Sequence, residues 1–243
     1  MSKHSKWAKI KRKKGVADVK KGASFTKLLK TITVAVREGG GTDPASNFKL
    51  RLAVDAARAE NVPKENIERA IERGSGKSGA NAMESVLYEG FGPGGVAIMV
   101  EALTDNGNRT VHEVKKIFSD HGGTMGGPGA VAWGFARNGV VRLDTTKTAI
   151  TPDTELVLID AGAEDLRTEE DVTTVLCPMG NLERVKTAAD QHALTTLEAT
   201  IEWTPTTLAP ALPASDQEKL LELLDALEEH DDVLAVATNA AFG

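Results

Sequence analysis

The chain has 243 residues, 41% of them apolar and 26% charged, with a formal net charge of −6. That is enough for one large core or two to three small ones in the soluble globular class. The single cysteine, Cys177, excludes a disulfide framework and a Cys-cluster zinc site, and no apolar run approaches the roughly 18 residues of a membrane span. The charge is unevenly spread. The first thirty residues hold eleven Lys or Arg against one acid, Asp18, a local net charge of +10 that leaves −16 on everything after it. A dense cationic arm with an interleaved aromatic, Trp7, suits a polyphosphate partner. The arm lacks the apolar segment of a secretory signal and is Lys-rich where a mitochondrial presequence favours Arg and Ser, so a cytoplasmic location is expected.

The first 80 residues read as helical. Phe25, Leu28, Leu29, Ile32 and Val36 recur on one face of a helix that Gly39-Gly40-Gly41 ends, leaving Lys20, Lys27 and Lys30 to face outward. Asp43-Pro44 signals a second helix carrying Phe48, Leu52, Ala56 and Ala59. Pro63 opens a third, with Ile67, Ala70 and Ile71 on one side and a stop at Gly74. Three short helices bury their apolar faces only on one another, which predicts a small three-helix domain behind a flexible basic arm. Gly76-Lys77-Ser78 resembles the end of a P-loop. Ile71 stands where that motif needs glycine, and a helix precedes it instead of a strand, so a flexible linker is the better reading.

From Ser85 the pattern changes to short β runs, Ser85 to Glu89 and Val96 to Leu103, joined by Gly90-Phe91-Gly92-Pro93-Gly94-Gly95. A helix with Val111, Val114, Ile117 and Phe118 apolar follows the turn Asp105-Asn106-Gly107-Asn108 and closes at Gly122-Gly123. After Gly126-Gly127-Pro128-Gly129 come strands at 131–136 and 140–143 with a hairpin signal, Asn138-Gly139, between them. Next are a helix near 153–161, a strand near 172–177, a helix near 182–192, and a strand near 197–203 whose Leu197, Ala199, Ile201 and Trp203 alternate to give one buried face. A proline-bearing connection leads to a helix opened by the capping-box pair Ser215 and Glu218, and a strand at 233–237 finishes the chain. The early strand–strand–helix unit cannot cover a sheet alone, and the last helix and strand have no partner nearby in sequence. The fold class expected is multidomain, α and α+β: an N-terminal three-helix domain (1–80) followed by two α+β domains, one (130–205) inserted in the other (81–129 with 206–243).

Catalytic and metal motifs fail on inspection. His112-Glu113 begins like a zincin motif, but Lys116 occupies the place of the second histidine. Cys177, in an apolar run beside Pro178, reads as a buried structural thiol. No nucleophile, base and orienting acid stand at a recognisable spacing, so neither an enzyme, a cofactor, a metal nor a small-molecule substrate is expected.

The candidate nucleic-acid contacts are therefore Lys3, His4, Ser5, Lys6, Trp7, Lys9, Lys11, Arg12, Lys13, Lys14, Lys20, Lys21, Lys27 and Lys30, with Asn106, Asn108 and Arg109 as the polar candidates on the second domain. A solubilising tail would share this charge, but Trp7 has no solubilising role and is able to stack on an exposed base. Six to eight phosphate contacts would give a log–log salt slope of about −5 to −7 on duplex DNA. The arm supplies grip without sequence information. The glycine-rich turns allow φ > 0 and close approach of backbone to another surface, although tight hairpins explain much of this.

His4-Ser5-Lys6-Trp7, Phe25-Thr26-Lys27-Leu28, Leu50-Arg51-Leu52-Ala53, Pro63 to Ile71, Glu89 to Gly95, Asn108-Arg109-Thr110 and His121-Gly122-Gly123 together resemble the YebC/PmpR family, which includes mitochondrial translational activators. The resemblance runs over essentially the whole chain and is densest through residue 140. It implies a helical domain with two α+β domains, and either a DNA-binding transcriptional regulator or, as the alternative, a translation factor on ribosomal RNA. Lys3 replaces a usual glycine and Gly107 a common arginine, which leaves Arg109 as the surviving cation of that turn. No clear recognition helix presents Arg, Asn or Gln to base edges. Residues 81–243 hold 10 basic and 27 acidic side chains, so a long duplex would be gripped at one end only.

Overall fold

In the computed structural model, residues 21–76, 83–146 and 148–242 are described, with side chains from Phe25 onward. Three helices come first: α1 (Lys21–Gly39), α2 (Phe48–Ala59) and α3 (Lys64–Gly74). Their shared core is Ile32, Ala35, Val36, Leu50, Ala53, Val54, Ala57, Ile67 and Ala70. Gly74 allows α3 to approach α1 closely, since a Cβ there would stand 2.7 Å from Val36 Cβ and 2.8 Å from the Thr33 carbonyl oxygen.

The helix-start signals of this domain need correction. Asp43 does not cap α2; its Oδ1 accepts from the Ala45 amide at 2.9 Å and holds a turn over 43–46. The cap is Asn47, whose Oδ1 accepts from the Leu50 amide at 3.0 Å while its Nδ2 donates to the Ala35 and Gly41 carbonyls at 2.9 Å. The apolar face predicted for α2 is also divided. Leu50, Ala53, Val54 and Ala57 fill the helical core, whereas Phe48 and Leu52 pack against the core of another domain.

Two four-stranded sheets follow. The first has order β3-β1-β2-β8, from β1 (Glu84–Phe91), β2 (Ala97–Thr104), β3 (Thr124–Met125) and β8 (Val233–Thr238). It is entirely antiparallel and is covered by α4 (Gly107–Asp120) and α7 (Ala214–Glu229), which contribute Val114, Phe118, Leu220, Leu223, Leu224 and Leu227 to its core. The second sheet, order β5-β6-β4-β7, lies wholly between β3 and α7 in sequence: β4 (Phe135–Asp144), β5 (Asp165–Glu169), β6 (Val172–Pro178) and β7 (Thr195–Pro205), with α5 (Pro152–Asp160) and α6 (Leu182–Gln191). The fold is thus a three-helix domain followed by two α+β domains, one inserted in the other. The chain leaves the first sheet after β3, completes the second, and returns to place β8 beside β2.

Four local expectations are overturned within the two sheets and the helix that covers the first. Asn138-Gly139 makes no hairpin; both residues lie inside β4, paired with Pro178 and Cys177 on one side and Glu202 and Ile201 on the other. The reason for glycine is packing: a Cβ at 139 would stand 2.9 Å from Cys177 Sγ and from Leu182 Cβ. The strand expected from 131 begins only at Phe135, after a 3-10 turn at Ala132–Gly134. Along β7, Leu197 leaves the alternation and is exposed because pairing shifts there, from Arg142 with Glu198 to Leu143 with Thr196. Finally, α7 starts at Ala214 after Pro213, with no side-chain cap from Ser215. Cys177 is buried, and desolvation, with Glu164 in support, pushes its thiol up to about 11.

Candidate nucleic-acid interface

Lys3, His4, Ser5, Lys6, Trp7, Lys9, Lys11, Arg12, Lys13, Lys14 and Lys20 lie outside the described residues, as does most of the linker with its Lys77-Ser78 pair, while Lys21 is described only as the first residue of α1. The remaining candidates gather at one place, the turn between α7 and β8.

Lys27 and Lys30 were expected to face outward, and the structure turns both toward this acidic turn. Lys27 Nζ donates to the Glu228 carbonyl. Lys30 Nζ donates to the Asp231 carbonyl at 2.8 Å and to Asp232 Oδ1 at 2.7 Å. The cause is that α1 packs its third face against β8 and the end of α7, where a helix C-terminus presents carbonyls and partial negative charge. The second Asp232 oxygen accepts from Arg109 Nη2 and from Thr110 Oγ1, each at 2.7 Å.

Asn106 is the N-cap of α4: its Oδ1 accepts from the Arg109 amide at 3.1 Å, which puts Arg109 on the first turn, over Asp232. Arg109 also meets Asp105 at 3.1 Å and Glu113 at 3.8 Å. Hydrogen bonding to Asp232, with the attraction of these carboxylates, raises its pKa above the usual arginine value. Asn108 is exposed on the same turn. Burial raises the Asp232 pKa, but hydrogen bonds from Lys30, Thr110 and Arg109 outweigh it and hold the carboxyl below the usual aspartate value.

Asp232 was not among the sequence candidates, and its signal was the acidic run Glu228-Glu229-His230-Asp231-Asp232. Glu113, His230 and Asp232 bring three possible metal-ligand atoms within 4.8 Å of one another. The donor set does not suit a cation. Asp232 already holds Lys30 and Arg109, and its own amide donates to His230 Nδ1 at 3.1 Å, which leaves Nε2 to donate to Glu113 at 2.9 Å.

A second carboxylate organises the glycine-rich loop. Glu89, on β1 and buried, accepts from the amides of Gly129 and Val131 at 2.7 Å and of Ala132 at 2.8 Å. Burial raises its pKa; the three amides more than offset this and leave it lowered. The loop so fixed presents Trp133, 81% exposed, with its indole N–H donated to the Ala130 carbonyl at 3.2 Å.

The joints between domains use the same chemistry. Arg137 Nη2 stands 3.5 Å from both Glu38 on α1 and Glu101 on β2, with its guanidinium over Trp203. Arg51 on α2 pairs with Glu183 on α6. Within the inserted domain, Arg142 on β4 is held in the same way by Glu198 and by both oxygens of Glu202 on β7 at 2.8 Å. Burial opposes its charge, and these acids overcome it and raise the pKa.

Comparison with known proteins places this geometry. Residues 5–77 match the model of the TACO1/YebC protein N-terminal domain, and residues 83–240 that of the TACO1/YebC second and third domain. A probable transcriptional regulatory protein of Treponema denticola is 47% identical over 98% of this chain and 96% of its own length. One from Desulfosudis oleivorans is 47% identical over 99% and 97%. The crystal structure of a conserved hypothetical protein from Aquifex aeolicus superposes with a TM-score of 0.83 at 38% identity, covering 92% of this chain and 91% of that one. With both family models matched in order and relatives aligned end to end, the chain belongs to the TACO1/YebC family.

Proposed function

We infer that this protein regulates gene expression by binding nucleic acid, with DNA as the partner and the N-terminal basic arm as the grip. The observation that carries the reading is the segregation of charge. Eleven of the 29 Lys and Arg residues fall in the first thirty positions, while Arg51, Arg109, Arg137 and Arg142 in the body are each committed to carboxylates. The densest run of cationic side chains that the sequence offers a phosphate backbone is the arm, and an acidic body keeps a long duplex to that end. The curated relatives named as probable transcriptional regulatory proteins support the same direction. Base readout then comes from few contacts, so recognition leans on backbone and shape.

Crosslinking in growing cells, followed by sequencing of the bound nucleic acid, tests this reading. The expected result is a short recurrent DNA sequence. Recovery mostly of ribosomal RNA would replace DNA by the ribosome as the partner. Exchanging Lys11, Arg12, Lys13 and Lys14 for Ala flattens the salt dependence of binding if the arm is the grip; an unchanged slope reduces it to a tail.

A further inference from the structure

The cationic face of α1 meets the acidic turn after α7 as it would meet a phosphate backbone. Four of the five residues from Glu228 to Asp232 are acids. Around the Asp232 carboxylate stand an ammonium (Lys30, 2.7 Å), a guanidinium (Arg109, 2.7 Å) and a hydroxyl (Thr110, 2.7 Å). Such a convergence of charged and neutral donors on one oxyanion is the set that proteins present to a phosphate group.

We propose that this turn is an internal phosphate surrogate: it holds the Lys30 face of α1 closed against the central domain, and nucleic-acid phosphate displaces it, freeing Lys30 to extend the surface begun by the arm. The proposal rests on the nucleic-acid reading above and adds a conformational step to it.

Three features make the exchange physically accessible. The cations are conserved in number across it, so neither state leaves a buried charge bare: Lys30 trades a carboxylate for a phosphate, and Asp232 keeps Arg109 and Thr110, which belong to its own domain. The helical domain makes two unlike contacts. With the inserted domain the contact is apolar, through Phe48 and Leu52, and is fastened by Arg51 to Glu183. With the central domain Lys27 and Lys30 make it polar. Between these contacts lies a cleft of about 900 Å³, lined by Leu28, Val34 and Glu38 on one wall and Met99, Trp203 and Val236 on the other. The domain is therefore placed to pivot on Phe48 and Leu52 without prising apart a continuous core.

The test uses the full chain and a mixed-sequence duplex of about 20 base pairs, with affinity measured by fluorescence anisotropy over a range of salt. Asp232→Asn removes the surrogate charge and leaves Lys30. Binding is expected to tighten about fivefold with the log–log slope unchanged, because the wild-type complex already pairs Lys30 with phosphate and the variant only removes the contact that must first be broken. Lys30→Gln opens the same contact from the other side without offering a cation, and is expected to make the slope shallower by about 0.9. A static joint predicts no tightening in Asp232→Asn and no change of slope in Lys30→Gln, and either result overturns the proposal even if the other variant folds poorly. Failure of the wild-type chain to bind the duplex at any salt overturns the DNA reading and the proposal together, whereas equal slopes in all three proteins overturn the proposal alone. The motion has its own readout in labels at Lys64→Cys and Lys115→Cys, both exposed positions; buried Cys177, with its raised thiol pKa, does not compete for label. Their separation is expected to lengthen on saturation with duplex, and a fixed separation also overturns the proposal.

Discussion

The loop around Glu89 and the turn around Asp232 are both built on a buried carboxylate with three donors, yet they hold the molecule in different ways. Glu89 takes its donors from the backbone of one short segment, Gly129 to Ala132, which leads into β4. Asp232 takes its donors from side chains, one of them on a different domain. Backbone amides have no rotamers to exchange and no charge to give elsewhere, so the first arrangement fixes a loop permanently. Long charged side chains have both, so the second fixes a contact only while no better anion is present.

The largest effect that tests this contrast is at Glu89. Glu89→Ala leaves three amide donors without their acceptor, and the expected loss is about 3 kcal/mol of unfolding free energy, read as a lower midpoint in urea. A loss below about 0.5 kcal/mol would mean that water replaces the carboxylate and that the loop is not held by it. The next effect lies between domains. In a double-mutant cycle of Lys30→Met and Asp232→Asn, the expected coupling is about 1.5 kcal/mol, because the pair is mostly shielded from solvent. Additive single effects would show that α1 is not tied down by this pair.

The two carboxylates also separate in pH. Both have folded-state pKa values below the unfolded ones. Their contribution is therefore fully present above the unfolded pKa, about 4, and is lost as pH falls through the folded value, at up to about 1.4 kcal/mol per pH unit for each proton taken up. Melting temperature should fall on acidification below about pH 4, and Glu89→Gln should flatten that fall by the share of one carboxylate. An identical acid profile in the variant would show that Glu89 titrates the same folded and unfolded.

How much of this was legible beforehand follows from which forces are local. Periodicity located α1, α4, α6 and β7 to within a few residues, because a helix or strand face is written in the spacing of its own apolar residues. The insertion was readable for a related reason: a terminal helix and strand with no neighbours must pair with something earlier. Asn138-Gly139 misled because the need for glycine there comes from Cys177 and Leu182, some forty residues on, and not from a turn. For the site, Arg109 and Asn106 were readable as a polar turn, but their partner was not. Asp232 lies 123 residues from Arg109 and 202 from Lys30, and nothing local distinguishes it from the solvated acids beside it. Lys30 was misplaced for the same reason: a lysine on a polar face looks free until the acid that captures it is known.

The smallest effect sharpens the contrast from the other side. Lys49 Nζ meets Glu38 Oε2 at 2.9 Å, at much the same length as the Lys30–Asp232 pair, but both side chains are about a third exposed and both residues belong to the helical domain. Water screens such a pair, and two flexible chains lose rotamer freedom in making it, so distance alone overstates its worth. Lys49→Ala is expected to change unfolding free energy by less than about 0.5 kcal/mol and to leave the salt slope of duplex binding where it was. A shift in that slope comparable with that of Lys30→Gln would mean that the response comes from the general charge of the helical domain. It would then be the number of lysines that matters, and not which of them the Asp232 turn is holding.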